Sequence, residues 1–415
     1  YAIFEGNKDD FGNGGSTLKL YLQLGHGMQA LSQDLIKSWG AGTAIISPVN
    51  MSQNKIAAYA KKIRDIGGEV LFDPQMFYPK EGHVKLQAYD YWPSDGCSVT
   101  SEDVHANINR ELLRINKDID TSQIILPGIE MREDSFGYNL EWIKKSTAYF
   151  ESKTNKGLLA TLCLYPETIR NSAAIENLVE ALRVLPVAGY YIIPHSPNKE
   201  YIVSDPMWIV GMMKLISCLK LSKKKVVVGY SNHQGLVYAL AGADAIASGT
   251  YMNTRSFVPE KFKSPKDDDV KHKSTWYYLP SAFTEYKAAH LDVAMQRGYL
   301  KEFIPQGEYR NPYSEMLFNG ATPSSTNYNE TNSFKHYLHC LNIQCELLSR
   351  DSYDETYSTY EFMLGIADNH VKDFKRRGMT GQNRDFAPAI EANRIAMCAN
   401  DEDYGLKLRL DWKRL

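Results

Sequence analysis

The stretch KVVVGYSNHQGLVYALAGADAIASGTYMNTRSF, residues Lys225–Phe257, decides the expected fold. It begins as a buried strand (KVVVG), passes through a polar turn into the small-residue helix GLVYALAG, and returns to a second apolar strand, ADAIASGT. Parallel strands joined by helices are the repeating unit of a (β/α)8 barrel, in which the loops after the strands carry the chemistry. We therefore expect an active-site mouth at Tyr230–His233 and Ser248–Arg255.

Six further strand candidates precede this stretch, and a helical pattern follows each of them. They are LKLYLQLGHGM, TAIISPVNM, EVLFDPQMFYP, SQIILPGIEM, GLLATLCLYP and GYYIIPHSP. Eight strands in strand–helix order predict an α/β fold, a (β/α)8 TIM barrel with inserted loops, over residues 18–257. We expect an N-terminal arm at 1–17. A mainly helical section is expected at 258–415, with a helix in SAFTEYKAAHLDVAMQRGYL and a final strand in EDYGLKLRLDWK.

Composition favours a soluble globular protein. The chain has 415 residues, of which 43% are hydrophobic and 23% are charged, values typical of globular domains. No apolar run approaches the roughly 18 residues of a membrane span, and the first ten residues contain no apolar signal core. The six cysteines are scattered without a CxxC pair, which favours reduced thiols. We therefore expect a cytoplasmic protein with no membrane partner.

The net charge of −2 gives no general attraction to nucleic acid, so binding would depend on local basic runs. Three runs are candidates, although a solvated surface run is the simpler interpretation of each. They are Lys220–Lys225, Lys261–Lys273 and Lys372–Arg377.

Taken together, the strand ends resemble those of the tRNA-guanine transglycosylases and their DNA-acting 7-deazaguanine relatives, over Leu18 to about Pro388. That family's third strand ends in Asp-Ser-Gly-Gly-Phe-Gln, which is similar to FDPQMFYP. Its last three strands, Gly-Tyr-Ala-Ile-Gly-Gly-Leu, Leu-Met-Gly-Val-Gly and Gly-x-Asp-x-Phe-Asp, look like GYYIIPH, VVVGYSN and GADAIASGTYMNTR. HYLHCLNIQCELL is similar to its Tyr-Leu-His-His-Leu helix. The resemblance implies a pentosyltransferase that exchanges guanine for a 7-deazaguanine base in nucleic acid.

Base exchange needs an attacking carboxylate, a group that shuttles a proton, and groups that recognise the base. The resemblance assigns the acid/base role to Asp73, although an aspartate before proline is also a common strand-end cap. Asn50 would orient it, or is a plain turn residue. The position of the family's nucleophile holds Ala247, so another carboxylate attacks in its place, catalysis proceeds without a covalent intermediate, or the residue was altered or lost. The catalytic candidates are therefore Asp73, Asp244 and Glu130, although Asp244 should point away from the face of Ala247 and could be structural.

The expected base pocket also departs from the family pattern. Ile-Pro-His, ending at His195, replaces the Gly-Gly-Leu segment, and the strand-five glutamine position falls near Cys163. His195 is a candidate acid/base or reader of the base edge, and a structural histidine is the alternative. Glu130 could accept hydrogen bonds from a guanine-like edge. Tyr230 would line the same mouth.

The loop after the last barrel strand is expected to bind substrate through Asn253, Thr254 and Arg255. A guanidinium there could clamp a phosphate, and a salt bridge across the rim is the alternative. The long loop Lys80–Thr100 is either a substrate-facing lid or a surface insertion. Its aromatic side chains could stack on an extruded base or form a hydrophobic cover without a ligand. They are Tyr89, Tyr91 and Trp92.

The family's Cys-x-Cys-x-x-Cys zinc cluster is missing from this sequence. Four residues of one predicted helix carry metal-binding side chains, but four tetrahedral ligands rarely come from such a run. They are His336, His339, Cys340 and Cys345. We therefore expect no structural zinc and no cofactor. The missing zinc site and pocket glycines favour DNA over tRNA, and partner subunits are left open.

Two other functions stay open at this point. Ala247 would suit a binding or regulatory subunit that kept the barrel and lost catalysis. A barrel N-glycoside hydrolase using Asp73 and Glu130 is the other alternative.

Overall fold

A computed structural model of the chain describes residues 17–79, 83–93, 101–263 and 274–415, except for the side chain of Glu133. The expected arm, apart from its last residue, lies outside these residues. So do two parts of the 80–100 loop and most of the 261–273 basic run. Within the described ranges, no helix combines the length and the apolarity that crossing a bilayer requires.

The centre of the fold is one parallel sheet in the order β3-β2-β1-β9-β8-β7-β6-β4, with β5 beside the end of β6. Every pairing in it is parallel. Its strands are β1 (Lys19–Gln23), β2 (Gly42–Ile46), β3 (Gly68–Phe72), β4 (Ile124–Leu126), β5 (Glu130–Met131), β6 (Leu158–Leu164), β7 (Gly189–Pro194), β8 (Lys225–Val228) and β9 (Ala245–Ser248).

Helices follow most of these strands, as expected for parallel connections. They are α1 (Gln29–Trp39), α2 (Gln53–Asp65), α3 (Glu102–Asp118), α4 (Phe136–Glu151), α5 (Pro166–Arg170), α6 (Ser172–Arg183) and α7 (Pro206–Leu221). Asp205 caps α7 by accepting from the amides of Met207 and Trp208, and a proline at the first helical position suits this start. After β8 the predicted helix is a 3-10 helix, His233–Ala241.

The C-terminal section contains a two-stranded antiparallel hairpin and six α-helices among its described residues, besides short 3-10 helices. These are α8 (Pro259–Lys263), β10 (Trp276–Leu279), β11 (Thr284–Lys287), α9 (Ala288–Gln296), α10 (Pro312–Phe318), α11 (Glu330–Leu348), α12 (Tyr353–Arg376) and α13 (Ala387–Asp411).

The two faces of the parallel sheet form separate cores. Residues such as Leu20, Val70 and Ile192 face the helices. Their neighbours in sequence point the other way and form a second cluster, to which every strand of the main path contributes. Its strand members are Tyr21, Ile45, Leu71, Ile125, Leu159, Cys163, Tyr191, Ile193, Val227, Ala245 and Ala247. The sheet is therefore curled around this second cluster.

The predicted α/β fold is confirmed, and eight of its strands form a curled parallel sheet, but the predicted closure into a (β/α)8 barrel is not established. The described pairings include no ladder between β3 and β4. Their link is a backbone hydrogen bond from Ser122 N, just before β4, to Val70 O in β3, at 3.0 Å.

Two C-terminal predictions are wrong. The stretch predicted as a helix from Ser281 contains strand β11, and helix α9 begins only at Ala288. Strand β11 pairs with WYYL in the antiparallel hairpin, and aromatic residues favour such strands. The predicted final strand is the end of α13. Leu408 and Trp412 are buried there while Leu406 and Leu410 are exposed, a helical spacing that resembled strand alternation in the sequence.

Candidate active site

Asp73 is the carboxylate at the centre of the site. It follows β3 directly, at the carboxyl end of the sheet, and its side chain is fully buried. One carboxyl oxygen, Oδ1, accepts a hydrogen bond from Gln75 N at 2.9 Å. The other, Oδ2, lies 3.2 Å from both Tyr191 Oη and Tyr230 Oη. None of these three partners carries a charge.

The two phenols around Asp73 have further partners. Tyr230 Oη accepts from Gln75 Nε2 at 2.7 Å, and Tyr191 Oη donates to Gln23 Oε1 at 2.8 Å. A hydroxyl has one proton to donate. The single proton of Tyr191 Oη is therefore shared between two acceptors, Gln23 Oε1 at 2.8 Å and Asp73 Oδ2 at 3.2 Å.

The backbone around Asp73 is held in an unusual conformation. Gln75 and Tyr230, two of its three partners, have φ values of 51° and 50°. Such left-handed backbone is uncommon for residues other than glycine, and it concentrates at functional sites. Gly229 is also required here, because a Cβ atom at this position would lie 2.7 Å from the Tyr191 hydroxyl and ring. The backbone therefore determines where the phenols meet the carboxyl group.

Burial raises the pKa of Asp73 to about 7, and the hydrogen bonds from Gln75, Tyr230 and Tyr191 oppose this rise only in part. Desolvation disfavours the charged form of a carboxyl group. Near neutral pH both the acid and the carboxylate of Asp73 are therefore populated. A group with these properties can both donate and accept a proton in one reaction cycle.

A second polar cluster lies at the same end of the sheet, and it joins three of the predicted residues. Tyr78 Oη donates to Glu130 Oε1 at 2.9 Å and lies 3.3 Å from His195 Nε2. Cys163 Sγ lies 3.2 Å from the same nitrogen. Arg132 Nε approaches Glu130 Oε2 at 3.5 Å. The strand ends of β5, β6 and β7 bring these groups together.

The cysteine and histidine of this cluster are uncharged. Burial, helped by the charges of Arg132 and Lys263, lowers the pKa of His195 to about 3. Burial also raises the pKa of Cys163, as do the negative charges of Glu130 and Asp73. A thiolate nucleophile is therefore disfavoured, since its formation needs a lowered pKa. The influence of both carboxyl groups on Cys163 also means that the two clusters are neighbours.

Aromatic rings cover Asp73 and its partners. The Phe77 ring centroid lies 6.2 Å from Tyr230, 5.1 Å from Phe257 and 5.3 Å from Phe262. Phe257 also lies 5.1 Å from Tyr230 and 5.2 Å from His195. These apolar rings form a layer over the buried Asp73 site.

Other predicted residues near the site have different contacts from those expected. Asn50 Nδ2 donates to Leu24 O at 3.2 Å, and Gln75 rather than Asn50 bonds to Asp73. Ala247 is buried on the inner face of the sheet, and its carbonyl accepts from Ser231 N. The position of the family nucleophile therefore faces the interior but carries no reactive group.

Asp244 lies at the opposite end of the sheet from Asp73. It precedes β9, and its Oδ2 accepts from Lys220 Nζ at 2.8 Å and from Val226 N at 2.7 Å. Lys220 is almost fully buried, with 3% of its side chain exposed. These contacts fit the structural alternative for Asp244 and separate it from the groups at the mouth.

Arg255 differs from the expectation of a phosphate clamp. Its side chain is buried, its Nε donates to Gly249 O at 2.8 Å, and its guanidinium pairs with Glu285 at 3.2 Å and covers the Tyr337 ring at 3.5 Å. The salt-bridge alternative describes these contacts, which attach the loop after β9 to the C-terminal hairpin. Thr254 is also buried, whereas Asn253 is exposed.

The described basic runs are largely engaged with protein groups. Lys225 donates to Gln123, Lys372 pairs with Asp368, and Arg377 pairs with Glu302. In the 83–93 segment Tyr89 and Tyr91 are buried and donate to Met51 O and Pro74 O. These contacts fit the alternatives of a surface run and a hydrophobic cover.

No group of three or more metal-binding side chains occurs among the described residues. In the helix singled out for its histidines and cysteines, His336 Nε2 bonds to Tyr278 O at 2.7 Å and Trp39 donates to His339. The five described cysteines are free thiols. These histidines therefore have structural contacts.

Sequence reasoning missed four polar residues of the site: Gln23, Gln75, Tyr78 and Tyr191. The signal that could have found Gln23 is a polar residue in an apolar strand, and Gln75 and Tyr78 closely follow Asp73 in the chain.

When the chain was compared with models of known protein families and with curated proteins, neither comparison gave a match.

Proposed function

We propose that this protein is a transglycosylase-like enzyme that exchanges guanine for a 7-deazaguanine base in nucleic acid, with DNA favoured over tRNA. The observation that carries the proposal is Asp73, a buried carboxyl group with neutral partners whose pKa is near 7. A closed (β/α)8 barrel, a cytoplasmic location and the absence of a required cofactor belong to the same proposal.

Base exchange requires a group that first donates a proton and later accepts one. When the C1′–N9 bond to guanine breaks, the leaving base takes the bonding electron pair and the proton of Asp73, which leaves an oxocarbenium ion at C1′ and a carboxylate at Asp73. When N9 of the incoming 7-deazaguanine bonds to C1′, its proton passes to the Asp73 carboxylate. The cycle gains and loses no proton, so one residue can act first as the acid and then as the base. A pKa near the working pH serves both steps.

The exchange proceeds here without a covalent glycosyl-enzyme intermediate. Ala247 cannot attack C1′, and Cys163 is a buried thiol with a raised pKa. Glu130, with 16% of its side chain exposed, is the other carboxylate at the mouth. Its role is to accept hydrogen bonds from the guanine-like edge, with Tyr78 and His195 beside it.

A hydrolase is the second candidate, and the observation that favours it is also Ala247. Without a covalent intermediate, water could take the place of the incoming base, with Asp73 and Glu130 as the two carboxyl groups. A third possibility, a nucleic-acid-binding subunit without catalysis, would need Asp73 only as a structural group.

The test supplies the purified chain with radiolabelled 7-deazaguanine and either duplex DNA or tRNA, and follows the label in the precipitated nucleic acid. We expect incorporation into DNA. Release of free guanine without incorporation would identify the hydrolase. Tight binding to nucleic acid with neither reaction would identify the binding subunit and contradict the proposal.

A further inference from the structure

The buried side chain of Gln75 links the Asp73 site to two neighbouring loops. Its Oε1 accepts a hydrogen bond from Val49 N at 3.0 Å, and its Nε2 donates to Tyr230 Oη at 2.7 Å. Its backbone amide donates separately to Asp73 Oδ1 at 2.9 Å. One residue therefore connects the acid, one of its phenol partners and the turn Pro48–Asn50 that follows β2.

The contact with Val49 determines which way the Gln75 amide faces. A backbone N–H can only donate, so the side-chain atom that meets Val49 N is the carbonyl oxygen. The NH2 group, which can only donate, then faces Tyr230 Oη. Because Tyr230 Oη accepts this bond, its own single proton is left for Asp73 Oδ2, at 3.2 Å. The Gln75 side chain thus sets the direction of the hydrogen bond between Tyr230 and Asp73.

The second phenol of the site lacks this constraint. Gln23 Oε1 accepts from Tyr191 Oη, and Gln23 Nε2 lies 3.0 Å from the Ser47 hydroxyl. A hydroxyl can donate or accept, so it does not fix the orientation of an amide as a backbone N–H does. Both phenols lie 3.2 Å from the same oxygen of Asp73, but only the proton of Tyr230 has its direction set.

The backbone conformation of Gln75 indicates a role for its side chain beyond the local turn. Its φ of 51° is in the left-handed region, which glycine adopts without steric cost. A glycine would also keep the backbone hydrogen bond to Asp73, and it would lack only the side-chain bridge from Val49 to Tyr230. Strained backbone of this kind concentrates at functional sites.

We propose that Gln75 is a positioning residue of the exchange, whose side chain directs the proton of the Tyr230 hydroxyl onto Asp73. The inference rests on the proposed function for the reaction that it assists. When the leaving base takes the proton of Asp73, the new carboxylate keeps an oriented donor on each oxygen, Gln75 N and Tyr230 Oη. Donors that are already oriented stabilise charge where it develops. The side chain of Gln75 acts through Tyr230.

Four titratable side chains interact with Asp73, and burial raises the pKa of each. They are the phenols of Tyr91, Tyr191 and Tyr230 and the thiol of Cys163. All four are therefore neutral near pH 7, so their own ionisation does not disturb a titration of Asp73 in that range.

The experiment follows the Asp73 carboxyl resonance of the full chain and its variants by carbon-13 NMR as pH changes. Gln75→Met keeps the length of the side chain and the backbone bond to Asp73 but removes both side-chain hydrogen bonds. The hydroxyl of Tyr230 is then no longer directed at the carboxylate, so the pKa of Asp73 should rise by about 0.4–1 unit, the equivalent of one net hydrogen bond. In a Tyr230→Phe background the same substitution should change it by less than about 0.2 unit, because no hydroxyl remains to be directed.

Gln344→Met is the matched control. This fully buried glutamine of α11 accepts from Tyr278 Oη at 2.9 Å and donates to Pro280 O at 3.1 Å, within the C-terminal section. Its substitution should leave the pKa of Asp73 unchanged, and urea unfolding checks that each variant is folded. If Gln75→Met does not fold, Gln75→Glu keeps an acceptor for Val49 N. The second oxygen of the new carboxylate takes the Tyr230 proton away from Asp73, so the pKa of Asp73 should again rise.

A folded Gln75 variant with an unchanged Asp73 pKa would overturn the proposal. An equally large shift in the Tyr230→Phe background would also overturn it, since Gln75 would then act on Asp73 without the phenol. The expected shifts in a protein that exchanges no base would support the positioning contact and refute the proposed function. Base exchange together with an unchanged pKa in Gln75→Met would support the proposed function and refute the role of Gln75.

Discussion

Asp73 and Asp244 lie at opposite ends of the same parallel sheet and have opposite surroundings. Asp244 pairs with Lys220 and accepts from a backbone amide, so its charge is compensated. Asp73 is fully buried and bonded only to neutral donors. Charge compensation is the usual requirement for a buried carboxylate.

The comparison shows at which end of the sheet the fold tolerates a buried acid without a compensating charge. A buried acid without a cation raises its own pKa and is a functional-site candidate. At the amino end of the sheet, the ion pair fixes β9 against α7. At the carboxyl end, left-handed backbone at Gln75 and Tyr230 and a glycine at 229 hold two phenols against the acid.

The largest expected effect separates the two aspartates in catalysis. Asp73→Asn keeps the size of the side chain but removes its titrating proton, and we expect base exchange to fall by at least ~100-fold. Asp244→Asn should stay within about threefold of wild type, because its contacts are remote from the mouth. Both rates come from the radiolabel incorporation assay. Equal losses in the two variants would remove the distinction between them.

The same pair should differ in how stability depends on pH. The native Asp73 carboxyl keeps its proton to about pH 7, whereas the unfolded carboxyl loses it near pH 4. Stability therefore falls as pH rises between these values, by up to about 4 kcal/mol from this group alone. Asp73→Asn has no carboxyl group to ionise at this position and so avoids this loss. Its free energy of unfolding relative to wild type should therefore increase from pH 4 to pH 7.5.

Urea denaturation at a series of pH values measures this difference. Asp244→Asn serves as the control, and it should lose roughly 1–3 kcal/mol because the buried Lys220 loses its carboxylate partner and keeps its contact with Leu415 O. If the difference in unfolding free energy between Asp73→Asn and wild type does not change with pH, Asp73 is ionised in the native protein.

A smaller effect is expected when one phenol of the Asp73 site is removed. The hydroxyl of Tyr230 donates to Asp73 and favours its charged form. Tyr230→Phe should therefore raise the pKa of Asp73 further and move the pH optimum of exchange upwards by about 0.5–1 unit. Tyr286→Phe is the control, because the Tyr286 hydroxyl is buried without a hydrogen-bond partner among the described residues. An unchanged optimum for Tyr230→Phe would contradict the proposed contact.

Much of this arrangement could be predicted from local pattern. The apolar runs that end in polar residues indicated the strands of the main sheet path, and Asp73, Glu130, Cys163 and His195 follow or end strands at one edge. The resemblance directed attention to the carboxylate after β3. Such features depend on neighbouring residues in the chain, which a single sequence displays.

The remaining features depend on contacts between distant segments. The burial of Arg255 requires Glu285 and Tyr337, which belong to the C-terminal section. The three partners of Asp73 come from β7 and from the segments after β3 and β8, so no spacing in the sequence identifies Tyr191 as its neighbour or Gln23 as the partner of Tyr191. The final helix was missed because leucines at every second position suit a half-buried strand as well as the end of α13.

The most direct test of the central claim is a titration of the Asp73 carboxyl group. Carbon-13 NMR of protein labelled at aspartate carboxyl carbons, compared with Asp73→Asn, assigns the Asp73 resonance and follows it from pH 3 to pH 9. A midpoint near pH 7 is the expected result. A midpoint near pH 4, the value of an ordinary aspartate, would mean that Asp73 is a carboxylate throughout the neutral range and would contradict its proposed role as the acid and base of the proposed exchange.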